Sequence, residues 1–143
     1  MKELKEPKRV SFTIKLAPVS KKNHSQIITN PKTGRPMLIP SKQYREYEQN
    51  AAWFIPRLSE PISEPVNVRG IFYMPTKRKC DLVNMEQALC DLLVKCRVIE
   101  DDNYTIVQSM DGSRVEYDKE NPRTEVIIEY LGGDAHYFSL KRI

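Results

Sequence analysis

The sequence predicts an α/β (α+β) domain, a mixed sheet of about five strands with two principal helices. Three observations carry that reading. Residues 10–16 alternate, with Val10, Phe12, Ile14 and Leu16 on one face and Ser11, Thr13 and Lys15 on the other, the pattern of a half-buried strand. Residues 81–97 gather Leu82, Met85, Leu89, Leu92, Leu93 and Cys96 into one stripe at about 100° per residue, as an amphipathic helix does. Residues 124–131 alternate again through Val126, Ile128 and Tyr130.

The remaining elements follow in chain order. Residues 1–9 are a charged, loose lead-in, too charged for a signal peptide. After the first strand, a loop carries Lys21, Lys22, Asn23 and His24. Residues 26–29 and 37–39 are short apolar runs around Asn30-Pro31-Lys32-Thr33-Gly34-Arg35-Pro36, whose turn formers predict a hairpin. Ser41 is the expected N-cap of a helix with Tyr44, Tyr47, Ala51 and Phe54 at helical spacing, ended by Pro56. A proline-containing connection leads to a strand over 66–74 and then to the basic Thr76-Lys77-Arg78-Lys79. Past the long helix, a short 98–100 segment leads into Asp101-Asp102-Asn103. Two strand-like stretches, 104–110 and 115–117, are joined by Asp111-Gly112, the strongest short hairpin signal in the chain. The last strand ends at Gly132-Gly133. The expected organisation is one domain over 10–131 and a tail over 132–143.

The chain has 143 residues, of which 40% are hydrophobic, 8% aromatic and 29% charged, which suits one soluble globular domain and excludes a disordered or fibrous chain. No apolar run approaches the roughly 20 residues of a membrane-spanning helix. Cys80, Cys90 and Cys96 are odd in number and form no C-x-x-C pair, against a disulfide scaffold or zinc ribbon and for a reducing, cytoplasmic setting. The net charge of +4 conceals an asymmetry: residues 1–79 carry 16 Lys and Arg against 6 Asp and Glu, residues 80–143 carry 7 against 13. Such a split predicts a basic surface for a polyanion beside a set of carboxylates, or else ordinary solvated charge on two faces.

No phosphate-cradling loop, dinucleotide fingerprint, zinc-protease motif or nucleophile elbow occurs in the sequence. With only His24 and His136, a histidine triad or nitrogen-rich metal site is disfavoured. Carboxylate chemistry remains. On the helical wheel Asp81, Asn84, Asp91 and Lys95 lie within about 80° of one another, beside the apolar stripe. Asp101 and Asp102 follow where the chain can double back. Hard oxygen ligands without thiolate or imidazole suit Mg²⁺ or Mn²⁺, and two such ions hydrolyse phosphodiesters. Each part has a plainer role as well. Asp81 can cap its helix, Asp101-Asp102-Asn103 can be a polar turn, Lys77-Arg78-Lys79 a solvated loop, and the cysteines core fillers.

Taken together, Lys77-Arg78-Lys79-Cys80-Asp81-Leu82-Val83-Asn84, then Ala88, Asp91-Leu92-Leu93, Val98-Ile99 and Asp101-Asp102 resemble the RusA family of Holliday junction resolvases. That family shows a basic stretch, D-x-x-N opening a helix, a D-x-L later in it and an aspartate pair beyond. The front of the chain is similar too, in its first strand, its Pro18–Asn23 loop and its Lys42-x-Tyr44 helix start. The resemblance covers roughly residues 10–131. Two positions depart from it: Val83 stands where many relatives have a second aspartate, and Gln87 where they commonly have a lysine.

The resemblance implies a homodimer, often phage- or prophage-encoded, that binds four-way DNA junctions and nicks two strands symmetrically with Mg²⁺, Mn²⁺ being an alternative. Asp81, Asp101 and Asp102 are then the expected metal ligands. Asp91 completes the catalytic set by ligating or by orienting a metal-bound water, and Glu86 is an alternative ligand. Lys21, Lys22, Lys77, Arg78 and Lys79 are the expected phosphate contacts, with the hairpin tip at 32–35 a further one. With Val83 and Gln87 in place of an acid and a cation, a branched-DNA-binding protein with weak or no catalysis is the alternative. Neither reading calls for a membrane.

Overall fold

The computed structural model describes residues 8–21 and 25–132. The strands β1 (Arg9–Ile14), β4 (Val66–Met74), β5 (Val107–Ser109), β6 (Arg114–Tyr117) and β7 (Arg123–Tyr130) form one mixed sheet, and β2 (Ser25–Thr29) and β3 (Pro36–Pro40) form a separate hairpin. The helices are α1 (Lys42–Ala51), extended by a 3₁₀ turn over Ala52–Phe54, and α2 (Leu82–Lys95). The expected α+β architecture is therefore the one observed. Among the described residues no helix is long and apolar enough to cross a membrane.

The local signals act as their chemistry requires. Ser41 caps α1, its hydroxyl accepting the Tyr44 N–H at 3.2 Å. The Pro-Gly-rich turn closes β2 on β3 in antiparallel register, Ile27 opposite Leu38. β4 is the hub of the main sheet. It pairs antiparallel with β7, which pairs antiparallel with β1, and its other edge is parallel to β5 and β6. Apolar residues from both of its faces are buried, Val66, Val68 and Phe72 on one and Ile71 on the other. α2 presses on β4 closely enough that a Cβ on Gly70 would come within 2.7 Å of Leu89 Cδ2, so glycine makes the approach possible.

One expectation is overturned. Asp111-Gly112 does not join a hairpin: β5 and β6 do not pair with each other but lie end to end, each parallel to β4. The cause is a side chain on β4. Asn67 is buried, its amide nitrogen donates to the Asp111 carbonyl at 3.2 Å, and its amide oxygen accepts the Asp111 N–H at 2.8 Å and the Ser109 hydroxyl. Three residues on, the Gly70 N–H donates to the Ser113 hydroxyl at 3.0 Å. These bonds satisfy the backbone where the ladder is interrupted, so the turn becomes an outward loop in one strand line. The positive φ of Gly112, 86°, suits that loop as well as it would suit a hairpin. The 104–110 stretch is correspondingly shorter as a strand, because Asn103 turns the chain first and accepts the Ile106 and Val107 N–H groups on its carbonyl.

α2 ends in a way that sets the site. Arg97 takes φ 58°, its N–H donates to Val94 at 3.0 Å, and the Val98 N–H reaches back to Leu93 at 2.9 Å. This is the two-bond left-handed helix stop, sealed by contact between two fully buried apolar residues, Leu93 and Val98. The next residues add a parallel bridge: Ile62 N–H donates to Val98, and Glu100 N–H to Ile62. The core itself runs from Ile14 through Val66, Val68, Leu92, Leu93, Val98 and Ile99 to Val126 and Ile128.

Two predictions follow from these contacts. Asn67→Ala strips partners from Ser109 and from both backbone groups of Asp111, and should cost about 2–3 kcal/mol in urea unfolding. The second concerns alkaline pH. Burial first, then the Asp102, Asp91 and Glu86 carboxylates, push the Cys90 thiol up to about 12, and burial pushes the Tyr47 hydroxyl to about 12. The folded chain keeps both protons where the unfolded chain has lost them. Stability should hold up to about pH 8 and fall as pH rises from about 9 to about 12, read as a falling urea midpoint.

Candidate active site

α2 presents two edges. Met85, Ala88, Leu89, Leu92 and Leu93 are buried, whereas Val83, Gln87 and Asp91 follow one another at four-residue spacing along the adjoining side. The left-handed stop at Arg97 and the Ile62–Ile99 bridge reverse the chain, and Asp102 returns to that side. Gln87 joins the two stretches: its Nε2 donates to Asp91 Oδ1 at 3.0 Å and lies 3.4 Å from Asp102 Oδ2. Lys21 Nζ approaches the other oxygen of Asp91 at 3.5 Å and stands 5.7 Å over the Tyr44 ring. One amide and one ammonium thus offset the repulsion between carboxylates brought together here.

Lys21, Asp91, Asp101 and Asp102 share a cavity of about 490 Å³, with Glu48 and Lys95 on its wall. Asp101 is partly committed to its own turn. Its Oδ1 accepts the Asp102 N–H and its Oδ2 the Asn103 amide, both at 2.8 Å, and the Asn103 bond first, then the Asp102 one, hold its carboxyl below the usual range. This polar turn fixes the direction of Asp102. Asp81 stands elsewhere. It occupies the N-cap position of α2 without capping through its side chain, and its Oδ2 accepts the Asn84 amide at 3.1 Å. Ten residues of helix, about 15 Å of rise, separate it from Asp91. Among the described residues no group of three or more His, Cys, Asp or Glu side chains stands close enough to hold a metal ion.

The expected cations are likewise divided. Lys21 faces Asp91, whereas Lys77 lies 5.2 Å from the Tyr117 ring on the β6 side. Arg78 and Lys79 line a neighbouring cleft. Lys22 lies outside the described residues. The hairpin tip at 32–35 is fully solvent-facing.

The sequence reading missed three participants. Gln87 was a departure from a pattern, and it is the group that bridges Asp91 and Asp102. Glu48, a buried carboxylate on α1, receives Lys95 at 2.9 Å. Tyr44 is fully buried, its hydroxyl has no hydrogen-bond partner among the described residues, and burial followed by the Glu48 and Asp91 charges pushes its ionisation up. A signal for Glu48 was present: it sits one turn after Tyr44 and three residues before Ala51, on the helix's apolar side.

Against known proteins, residues 9–129 match the family described as endodeoxyribonuclease RusA. The chain belongs to that family. The match spans every strand of the main sheet and both helices, almost to the end of β7. RusA membership makes this chain an endodeoxyribonuclease of the Holliday junction type. No curated protein matches the sequence closely enough to be compared.

The cavity, not the expected Asp81–Asp101–Asp102 set, brings two carboxylates together through one amide. Asp91 and Asp102 offer hard oxygens, with neither thiolate nor imidazole beside them in the cavity. Mg²⁺ commonly binds through one or two carboxylates, several waters and a substrate phosphate, and this pair fits that mode. Around it, the Glu48–Lys95 pair holds α1 against α2. Removing the cation leaves Glu48 buried and unpaired, so Lys95→Met should lower stability by about 1–3 kcal/mol, measured by denaturant unfolding.

Proposed function

We propose that this RusA-family chain is a metal-dependent, structure-selective endonuclease that resolves four-way DNA junctions, working as a homodimer that nicks two strands symmetrically. The observation that carries the reading is the Asp91–Gln87–Asp102 bridge with Lys21 on its flank. It sets two carboxylates and a cation in one open cavity.

Asp91 and Asp102 would hold a Mg²⁺ or Mn²⁺ ion, which when bound supplies charge neutralisation at the scissile phosphate and an activated water. Asp101 keeps Asp102 in place through the turn. Lys21, next to Asp91, donates to a non-bridging phosphate oxygen and offsets the charge that builds in the transition state. Gln87 does as a neutral amide what a lysine would do as a cation: it keeps the carboxylates together, with less electrostatic help toward the phosphate. Lys77, Arg78 and Lys79 anchor flanking phosphates and position the branch without reading sequence. A two-fold dimer presents two equivalent sites to a junction that has the same symmetry.

A second reading, junction binding without cleavage, is favoured by one feature. Asp81 stands about 15 Å of helix rise from Asp91, and Val83, which replaces the acid many relatives have, is 73% exposed.

The deciding experiment is nicking of a fixed-sequence four-way junction beside its linear duplex, with Mg²⁺ and then Mn²⁺. Paired symmetric cuts are expected in the junction alone. Asp102→Asn should reduce them at least about 100-fold while binding stays intact or tightens, because a charge that repels DNA is lost. Wild-type nicking by Asp102→Asn would sink the metal assignment, and selective binding without cuts would establish the second reading. Asp81→Asn, run in parallel, reports whether the start of α2 takes part in the reaction.

A further inference from the structure

Beside the acidic cavity lies a second cleft, of about 510 Å³, between the β1–β2 connection, the first turn of α1 and the loop from β4 to α2. Its lining mixes the apolar Pro18, Val19, Met74, Pro75 and Met85 with the polar Ser20, Gln43 and Thr76, and Arg78 and Lys79 stand at its exposed side. Ser20 is the unusual member. It is 2% exposed, it lines the cleft, and its hydroxyl has no hydrogen-bond partner among the described residues. A buried hydroxyl left unpaired is unfavourable unless something that enters the cleft completes it. The cleft also adjoins the chemistry in sequence. Ser20 precedes Lys21, which reaches Asp91.

We propose that this cleft receives an unpaired nucleoside of the DNA, its base turned out of the stack next to the phosphate that is cut. The inference rests on the branched-DNA reading above and names the part of the branch that is gripped. The volume falls within the roughly 300–1,000 Å³ of small-molecule sites. Methionine and proline walls suit the faces of a flat base, the Ser20 hydroxyl and the Gln43 amide offer hydrogen bonds to its edge, and Arg78 and Lys79 meet the phosphates on either side. Selectivity follows from the cost of extrusion. A base inside a duplex is held by pairing and by stacking on both sides, whereas a base at a branch is held less and is cheaper to turn out.

The test places 2-aminopurine at each crossover position of a four-way junction, in EDTA so that no strand is cut. Wild-type protein should raise the fluorescence of one position at least about threefold and leave the linear duplex unchanged. Ala17→Leu, which narrows the cleft, and Ser20→Ala, which removes the orphan hydroxyl, should each lose more than half of that response. Ser20→Ala should also raise the melting temperature of the free protein, a gain that a hydroxyl serving only the fold would not give. Junction binding with no response at any position overturns the inference and leaves the nuclease reading standing, as does a full response from folded Ala17→Leu or Ser20→Ala. A wild-type chain that binds no junction overturns both.

Discussion

The geometry of the acidic cavity depends on how α2 stops. A helix of this length carries its residues steadily away from its start, and only a reversal can return later residues to its side. The left-handed Arg97 makes the reversal, the Val98-to-Leu93 and Arg97-to-Val94 bonds seal the helix end, and the Ile62–Ile99 bridge fixes the outgoing direction. The energy for this comes from burial. Leu93, Val98 and Ile99 are at most 1% exposed, so the turn is welded to the core beneath the half-buried Asp91 and Asp102. Asp101 then spends both carboxylate oxygens on the turn, and Asp102 is the residue delivered to the site.

Electrostatics explains why this acidic site can exist without DNA. Carboxylates gathered at one place repel, and donors meet them: Asp91 is met by Lys21 and by Gln87 one turn earlier on its own helix, Asp102 by Gln87, Glu48 by Lys95. Two pairs between the basic first half and the acidic second half of the chain meet at this cavity, Lys21 with Asp91 and, with the signs reversed, Glu48 with Lys95. Lys21 is the counter-charge of Asp91 there.

Much of this was legible. Alternation at Val10–Phe12–Ile14 and at Val126–Ile128 reads as strand because side chains switch faces at every residue. Ser41 reads as a cap because its oxygen matches an orphan N–H. The family was legible as well, from the run between Lys77 and Asp102. Asp111-Gly112 was not. A turn propensity states how the chain bends, not which strands flank the bend, and Asn67, more than forty residues away, decides that both segments pair with β4. Glu48 was hidden by the habit of counting only apolar residues on a helix's inner side.

The sequence by itself determined the elements, the family and the identity of the acids and cations, because periodicity, capping and motif spacing are local properties. The tertiary structure alone decided their grouping. It set Asp91 with Asp102 through Gln87, left Asp81 about 15 Å up the helix, and drew Lys77 toward Tyr117 while Lys21 took the place beside Asp91. The physical reason is that grouping depends on where a helix is stopped and which strand a distant amide holds. Both are set by packing between segments that are far apart in the chain.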